Sequence, residues 1–284
     1  MSVKSIYRSR RDPSYISLCQ LNLLAPLWVG EAYKILPCYD KFVDPKRLDT
    51  TLDYLLELDT SIYCLCEVEK RQLGKIDKAF SEYHRIYTAN AKDFWSEWSE
   101  EQWISNGTCV LLDASMYDIQ SSSYIDLGVA SKKNLKGDGC KCTVVHAIHK
   151  ATGHSILLAV VHFDTEVRKF IEAITLLSAL KKLQKETTFD ITLISGDYNF
   201  SDVSSFENVG YREVVTDVKD TTPLPQGMID HTLLLTGHKD IEYRGEVLNI
   251  GSGDKSTKSI VEGICATVST NGSDHYATVS SIRF

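Results

Sequence analysis

No apolar stretch in this chain approaches the length needed to cross a bilayer; the longest, Ile156 to Val161, is strand-sized. No membrane association is expected. The basic N-terminus, Met1-Ser-Val-Lys-Ser-Ile-Tyr-Arg-Ser-Arg-Arg11, has no apolar core behind it. That excludes an ordinary secretory signal, and residues 1–14 read as a flexible tail. Internal repeats, low-complexity blocks and linkers are also missing, so residues 15–284 are expected to form one domain. Positive charge is not in excess either: the formal net charge is −7, whereas proteins that bind nucleic acid by neutralising phosphates usually carry a basic surface. This argues against an architectural DNA- or RNA-binding module but leaves room for an enzyme with a local pocket. Gly251-Ser-Gly-Asp-Lys-Ser-Thr-Lys258 lacks the glycine-to-lysine spacing of a phosphate loop and reads as a flexible loop.

Eight cysteines are present. Cys64-Leu-Cys66 and Cys140-Lys-Cys142 together offer four thiolates for zinc, but both pairs lie in strand-like segments rather than in tight turns. Buried free thiols are the expectation. Of three glycosylation sequons, at Asn106, Asn199 and Asn271, the second falls on a candidate site residue, which fits an intracellular chain, cytoplasmic or nuclear.

What is there in abundance is the buried strand that ends in a polar side chain. Tyr15 to Leu21 delivers Asn22, Thr60 to Cys66 delivers Glu67, and Ser155 to Val161 delivers His162. Ile191-Thr-Leu-Ile-Ser195 runs through Gly196 into Asp197 and Asn199, which in an extended chain would project to the same side. Asp230 stands near the start of a strand through Leu235, and Asp274-His275 precedes a final alternating strand. Any one of these residues alone reads as a strand-end turn. Helices are expected over about 45–58, 72–80 and 167–185, the last with Phe170, Ile174, Leu177 and Leu180 on its apolar face. Two aromatic segments, 26–45 with Trp28 and 94–103 with Trp95, read either as packed surface or as platforms on which a base stacks.

Taken together, Leu21-Asn22-Leu-Leu-Ala25, Leu65-Cys-Glu67-Val68, Val161-His162-Phe163, Gly196-Asp197-Tyr-Asn199, Ile229-Asp230-His231 and Ser273-Asp274-His275 resemble, in order, the signatures of the endonuclease/exonuclease/phosphatase superfamily. The N-terminal motif and the loop after it look most like the branch of carbon-catabolite-repressor deadenylases, nocturnin, Angel-type proteins and 2′-5′ phosphodiesterases. Cys66 stands where that branch usually has Gln, Phe163 where it has Leu, and His231 where it has an aromatic residue. The resemblance implies an α/β four-layer sandwich, two mixed β-sheets face to face with helices outside. It implies a phosphodiesterase that uses Mg²⁺, with Mn²⁺ as a substitute, and acts on nucleic acid, RNA 3′ ends before DNA.

In that reading Glu67 holds the metal, Asn22 supports metal and phosphate, and Asp274 reaches a second metal position. Asp197 orients or deprotonates the attacking water, and Asn199 hydrogen-bonds the phosphate. His162 and His275 stabilise the transition state, with Asp230 orienting His275. Trp28 and Trp95 are the candidates for stacking bases. The alternatives are a DNA-repair phosphodiesterase for abasic sites or tyrosyl adducts, a phosphomonoesterase for a nucleotide or phosphoinositide, and an inactive binding module.

Overall fold

Side-chain alternation along each strand decides the architecture. In the computed structural model, which describes residues 12–26, 29, 31–90, 106–128, 140–165, 168–215, 220–223, 227–248 and 257–284, twelve strands form two six-stranded sheets. The first contains β1 (Tyr15–Asn22), β2 (Ile62–Glu69), β3 (Tyr83–Ala89), β4 (Asn106–Asp113), β11 (Glu242–Val247) and β12 (Thr278–Arg283), in the order β11-β12-β1-β2-β4-β3. The second contains β5 (Tyr117–Asp126), β6 (Lys141–His149), β7 (Ser155–His162), β8 (Ile191–Asp197), β9 (Arg212–Glu213) and β10 (Asp230–Thr236), in the order β5-β6-β7-β8-β10-β9.

Each sheet has a single parallel pair near its centre, β1 with β2 and β7 with β8, and every other pairing is antiparallel. A parallel pair requires a crossover. Helix α2 (Arg47–Leu58) supplies the first, preceded by the one-turn α1 (Tyr39–Phe42), and α4 (Arg168–Glu186) the second; α3 (Leu73–Ala79) lies between them in the chain. A four-residue α5 (Ser204–Glu207) and α6 (Thr257–Asn271) complete the helices among the described residues.

Along β1, Ile16 and Leu18 point into the space between the sheets while Cys19 and Leu21 point outward to α2 and α3. On the other sheet Ile156, Leu158, Val160, Ile191 and Leu193 face inward, and Leu157, Ala159, Val161 and Ile194 face α4. The central strands of both sheets are therefore apolar on both faces, as strands covered on both sides must be. The result is the expected α/β/β/α sandwich.

Three expectations need correction. On α4 the buried residues are Glu172, Ala173, Leu176 and Leu180, while Phe170 and Ile174 are 52% and 65% exposed; the apolar stripe is rotated from the one its largest side chains suggest. Among the eight cysteines, Cys38 and Cys265 are joined in a disulfide rather than free; the others are free thiols. The two Cys-x-Cys segments lie apart, since Cys64 faces the space between the sheets and Cys142 faces α4 on the far side of the second sheet. Finally, Thr257 and Lys258, expected in a loop, open α6. No helix among the described residues is long and apolar enough to cross a membrane.

Candidate active site

The inward face of each central strand changes character at one end. In β1 the inward series Ile16, Leu18 continues as Gln20 and Asn22; in β7 it ends at His162; in β8 it ends in Ser195 and Asp197; β10 begins its own inward series at Asp230. The parallel strands β1, β2, β7 and β8 all end at the same rim, and β10 and β12 begin there because they run antiparallel to β8 and β1. Simple alternation would send Glu67 outward with Tyr63 and Leu65. Instead β2 carries a bulge between Leu65 and Val68, and Glu67 takes a left-handed φ of 55°. A bulge re-aims the side chain it carries, and here it turns the carboxylate into the rim.

Asn22 Nδ2 then bridges the two sheets, donating to Glu67 Oε1 at 2.9 Å and to Asp197 Oδ2 at 3.1 Å. Its Oδ1 accepts from the Leu24 amide at 2.9 Å, so the amide NH₂, not the oxygen, faces the carboxylates. Glu67 Oε2 takes a bond from the Ala25 amide at 2.8 Å. His162 Nε2 stands 3.7 Å from Glu67 Oε1 and 3.8 Å from Asp197 Oδ2, and His275 Nε2 is also 3.8 Å from Asp197 Oδ2. Two imidazoles thus flank one carboxylate oxygen. On its far nitrogen, His275 Nδ1 meets Asp230 Oδ2 at 2.8 Å, and Asp230 Oδ1 accepts from Gln20 Nε2 at 2.6 Å.

Asp197 and Asn199 are neighbours for a different reason from the one the extended spacing suggests. The strand ends at Asp197, and Asn199 turns back with φ 54°, its amide donating to Asp197 Oδ1 at 2.9 Å and its Nδ2 to Phe163 O at 2.8 Å. Both the turn and the site are present at once. Gly196 makes the approach possible: a Cβ there would lie 1.9 Å from Val161 O.

Burial shapes the electrostatics. It pushes the Glu67 carboxyl above its ordinary range, opposed by His162 and by the Asn22 hydrogen bond. Burial pulls the His275 imidazole down, but Asp230 first, then Asp274 and Asp197, outweigh it and raise it well above the usual value. Asp230 is raised too, by its own burial. The buried Asp230–His275 pair therefore keeps one proton, and the two further carboxylates favour its residence on the ring.

Asp274 sits slightly apart. Its Oδ2 accepts from Tyr33 OH at 2.7 Å, and its Oδ1 is buried with no hydrogen-bond partner. A buried carboxylate that is costly to ionise alone, beside a second with an orphaned oxygen, matches the hard-oxygen donor set of a divalent cation such as Mg²⁺. Asp197, Asp230 and His275 also lie close enough together to hold an ion. Asp230 is poorly suited to that role, since each of its oxygens already accepts a short hydrogen bond. Trp28 and Trp95 lie outside the described residues.

Sequence reasoning missed several supports. Gln20, two residues before Asn22 and on the same face, was accessible from the alternation alone. Arg47 was not: from the first turn of α2 its buried guanidinium donates to Leu23 O, Leu24 O and Gly272 O at 2.9, 2.6 and 2.7 Å, tying the exit of β1 to the turn before Asp274. Nothing in the spacing of an Arg at a helix start signals this.

The fold and rim define a class, the two-sheet sandwich with an acid, amide and imidazole cluster at the strand ends. No protein-family model matches the chain, and no curated protein matches it in sequence. Among solved structures it superposes on ANGEL2, a 2′,3′-cyclic phosphatase, with a TM-score of 0.72 at 14% identity over 95% of both chains. The human Nocturnin catalytic domain gives 0.71 at 15% identity, over 95% of this chain and 94% of that one. A mannosyl-6-phosphatase of Bacteroides thetaiotaomicron gives 0.68 at 15%, over 95% and 100%. The chain has the endonuclease/exonuclease/phosphatase fold, in a form close to ANGEL2 and Nocturnin.

Proposed function

We propose that this protein is a Mg²⁺-dependent phosphodiesterase acting on nucleic acid, an RNA 3′-exonuclease of the deadenylase or 2′-5′ phosphodiesterase type. The observation that carries the reading is the position of Asp197 Oδ2, within 3.8 Å of both His162 Nε2 and His275 Nε2 and hydrogen-bonded to the amide that also holds Glu67. Phosphodiester hydrolysis needs an in-line water, a base to take its proton and cations for the charge that develops on phosphorus oxygens. Glu67, with Asp274, would hold Mg²⁺, which supplies Lewis-acid polarisation of the phosphoryl group.

The roles of the chain's own groups follow from their protonation. A base must be deprotonated at working pH, and His275 is held protonated by Asp230. His275 is therefore the cation that stabilises the transition state, and Asp197 orients the water and accepts its proton. His162 donates from the opposite side of Asp197, Asn22 fixes the two carboxylates, and Asn199 donates to a phosphate oxygen. ANGEL2 is a 2′,3′-cyclic phosphatase, which supports a phosphate ester as substrate, and the mannosyl-6-phosphatase keeps the phosphomonoesterase reading as the second one to test.

A substrate panel with Mg²⁺ tests it: 5′-labelled oligoadenylate, 2′-5′-linked oligoadenylate, RNA ending in a 2′,3′-cyclic phosphate, abasic duplex DNA and mannose 6-phosphate. Shortening of an RNA from its 3′ end is the expected result. Turnover of the DNA alone, or of the sugar phosphate alone, would overturn the assignment.

A further inference from the structure

Asn199 O and Phe200 O, consecutive carbonyls in the turn that leaves β8, each accept a hydrogen bond from a basic side chain. Lys169 Nζ of α4 reaches Asn199 O at 2.7 Å, and His231 Nε2 of β10 reaches Phe200 O at 2.9 Å. The His231 ring is buried, stands edge-on to Tyr198 with centroids 5.0 Å apart, and places Nδ1 2.6 Å from Glu213 Oε2. A carbonyl and an ionised carboxylate only accept hydrogen bonds, so both ring nitrogens must donate. Glu213 is itself held in place, its Oε1 accepting from the amides of Val215 and Thr232 at 3.3 Å.

We infer that His231 is a positioning residue for the hydrolytic site, acting through the Phe200 carbonyl to hold the Asn199 turn in its left-handed conformation. The inference rests on the phosphodiesterase reading for what the turn is used for, but not for the clamp itself. His231 has no access to substrate: alternation puts it on the outer face of β10, opposite Asp230. What it controls is a turn with φ 54° at Asn199, in the left-handed region that Asn enters more readily than other non-glycine residues but that still needs anchors to be held in one conformation. Two such anchors from two elements, α4 and β10, meet that requirement. Without the β10 anchor the turn relaxes and the Asn199 amide leaves Phe163 O, to which it now donates.

Two readouts test the clamp on the full-length protein. The first is kcat on 5′-labelled oligoadenylate with Mg²⁺ for His231→Phe, which keeps a ring against Tyr198 but removes both donors, in the native and Asn199→Ala backgrounds. If His231 acts through Asn199, the loss is about tenfold in the native background and under about twofold where the Asn199 side chain is already gone. Equal losses in both backgrounds overturn the inference. The second is the NMR resonance of the Asn199 side-chain amide, expected to shift and to lose hydrogen-exchange protection in His231→Phe and in the milder Glu213→Gln. An unchanged Asn199 amide in both variants overturns the clamp whether or not the protein cleaves oligoadenylate, which separates its failure from failure of the hydrolase reading.

Discussion

At the scale of single residues the proposed mechanism divides its labour between a carboxylate for the cation, Glu67, and an imidazole whose carboxylate neighbours favour its protonated form, His275. Glu67 takes its hydrogen bonds from neutral donors, Asn22 Nδ2 and the Ala25 amide, and has His162 Nε2 3.7 Å away, an arrangement that leaves its carboxylate open to a cation. Glu67→Gln keeps the shape and removes that charge. Mg²⁺ is expected to raise the melting temperature of the native protein, by mass action on the folded state, and to leave that of Glu67→Gln unmoved. Thermal melts with and without millimolar Mg²⁺ read this directly. Asp230→Asn removes the carboxylate that keeps the proton on His275, and kcat is expected to fall by about 10²-fold or more with KM little changed. Steady-state kinetics on the cleaved substrate check the split. These residues were legible from sequence because each stands at the end or the start of a buried strand, and Gln20 could have been read from the same alternation; the Tyr33 partner of Asp274 and the Arg47 tie between backbone carbonyls were not, since a contact between segments distant in sequence leaves no local mark.

At the scale of elements, the close pass of β8 against β7 is the tightest constraint on the rim. Gly196 has φ 147° and no room for a Cβ beside Val161 O. Gly196→Ala is expected to cost about 3 kcal/mol or more, read from urea denaturation midpoints. The β9–β10 pair carries a second test. Burial lowers the His231 pKa, but the Glu213 hydrogen bond and charge outweigh it and the net shift is upward. An imidazole raised in the folded state contributes stability that is full below its unfolded pKa of about 6.5 and is lost as pH rises through its folded value. The stability advantage of the native protein over His231→Phe is therefore expected to be constant below about pH 6.5 and to shrink as pH rises above it, measured by denaturant midpoints across a pH series.

The same scale shows where sequence reading fails. Strands that are apolar runs, such as β1, β7 and β8, or that alternate, such as β12, were placed correctly, whereas α6 was missed because its Ser, Thr, Val and Gly content has weak helix propensity. It is held by tertiary packing of Ile264 and Val268 against Leu24 and Phe42. The bulge that redirects Glu67 could not be read at all, since local alternation predicts the opposite face.

Across the whole molecule, two sheets of matching plan place their parallel pairs back to back, so one rim collects the site residues from the ends of β1, β2, β7 and β8 and from around the starts of β10 and β12. The Cys38–Cys265 bridge crosses 227 residues of sequence and pins the start of α1 to α6 beside the short helical turn that carries Tyr33. Closing so long a loop stabilises chiefly by restricting the unfolded chain. Cys38→Ser is expected to lose about 2–5 kcal/mol, and a reductant to lower the denaturation midpoint of the native protein while leaving that of Cys38→Ser unchanged. The fold class was legible because six strand-end motifs occur in order along the chain. The bridge was not, because neither cysteine's neighbours mark it as paired.

The most direct test of the account is Mg²⁺-dependent hydrolysis of 5′-labelled oligoadenylate by the purified protein, with Glu67→Gln and His275→Ala measured beside it. Progressive shortening of the RNA that disappears in both variants, with their folds intact by circular dichroism, is the result predicted here. Hydrolysis that persists undiminished in either variant, or a folded native protein that neither binds Mg²⁺ nor cleaves the RNA, would contradict it.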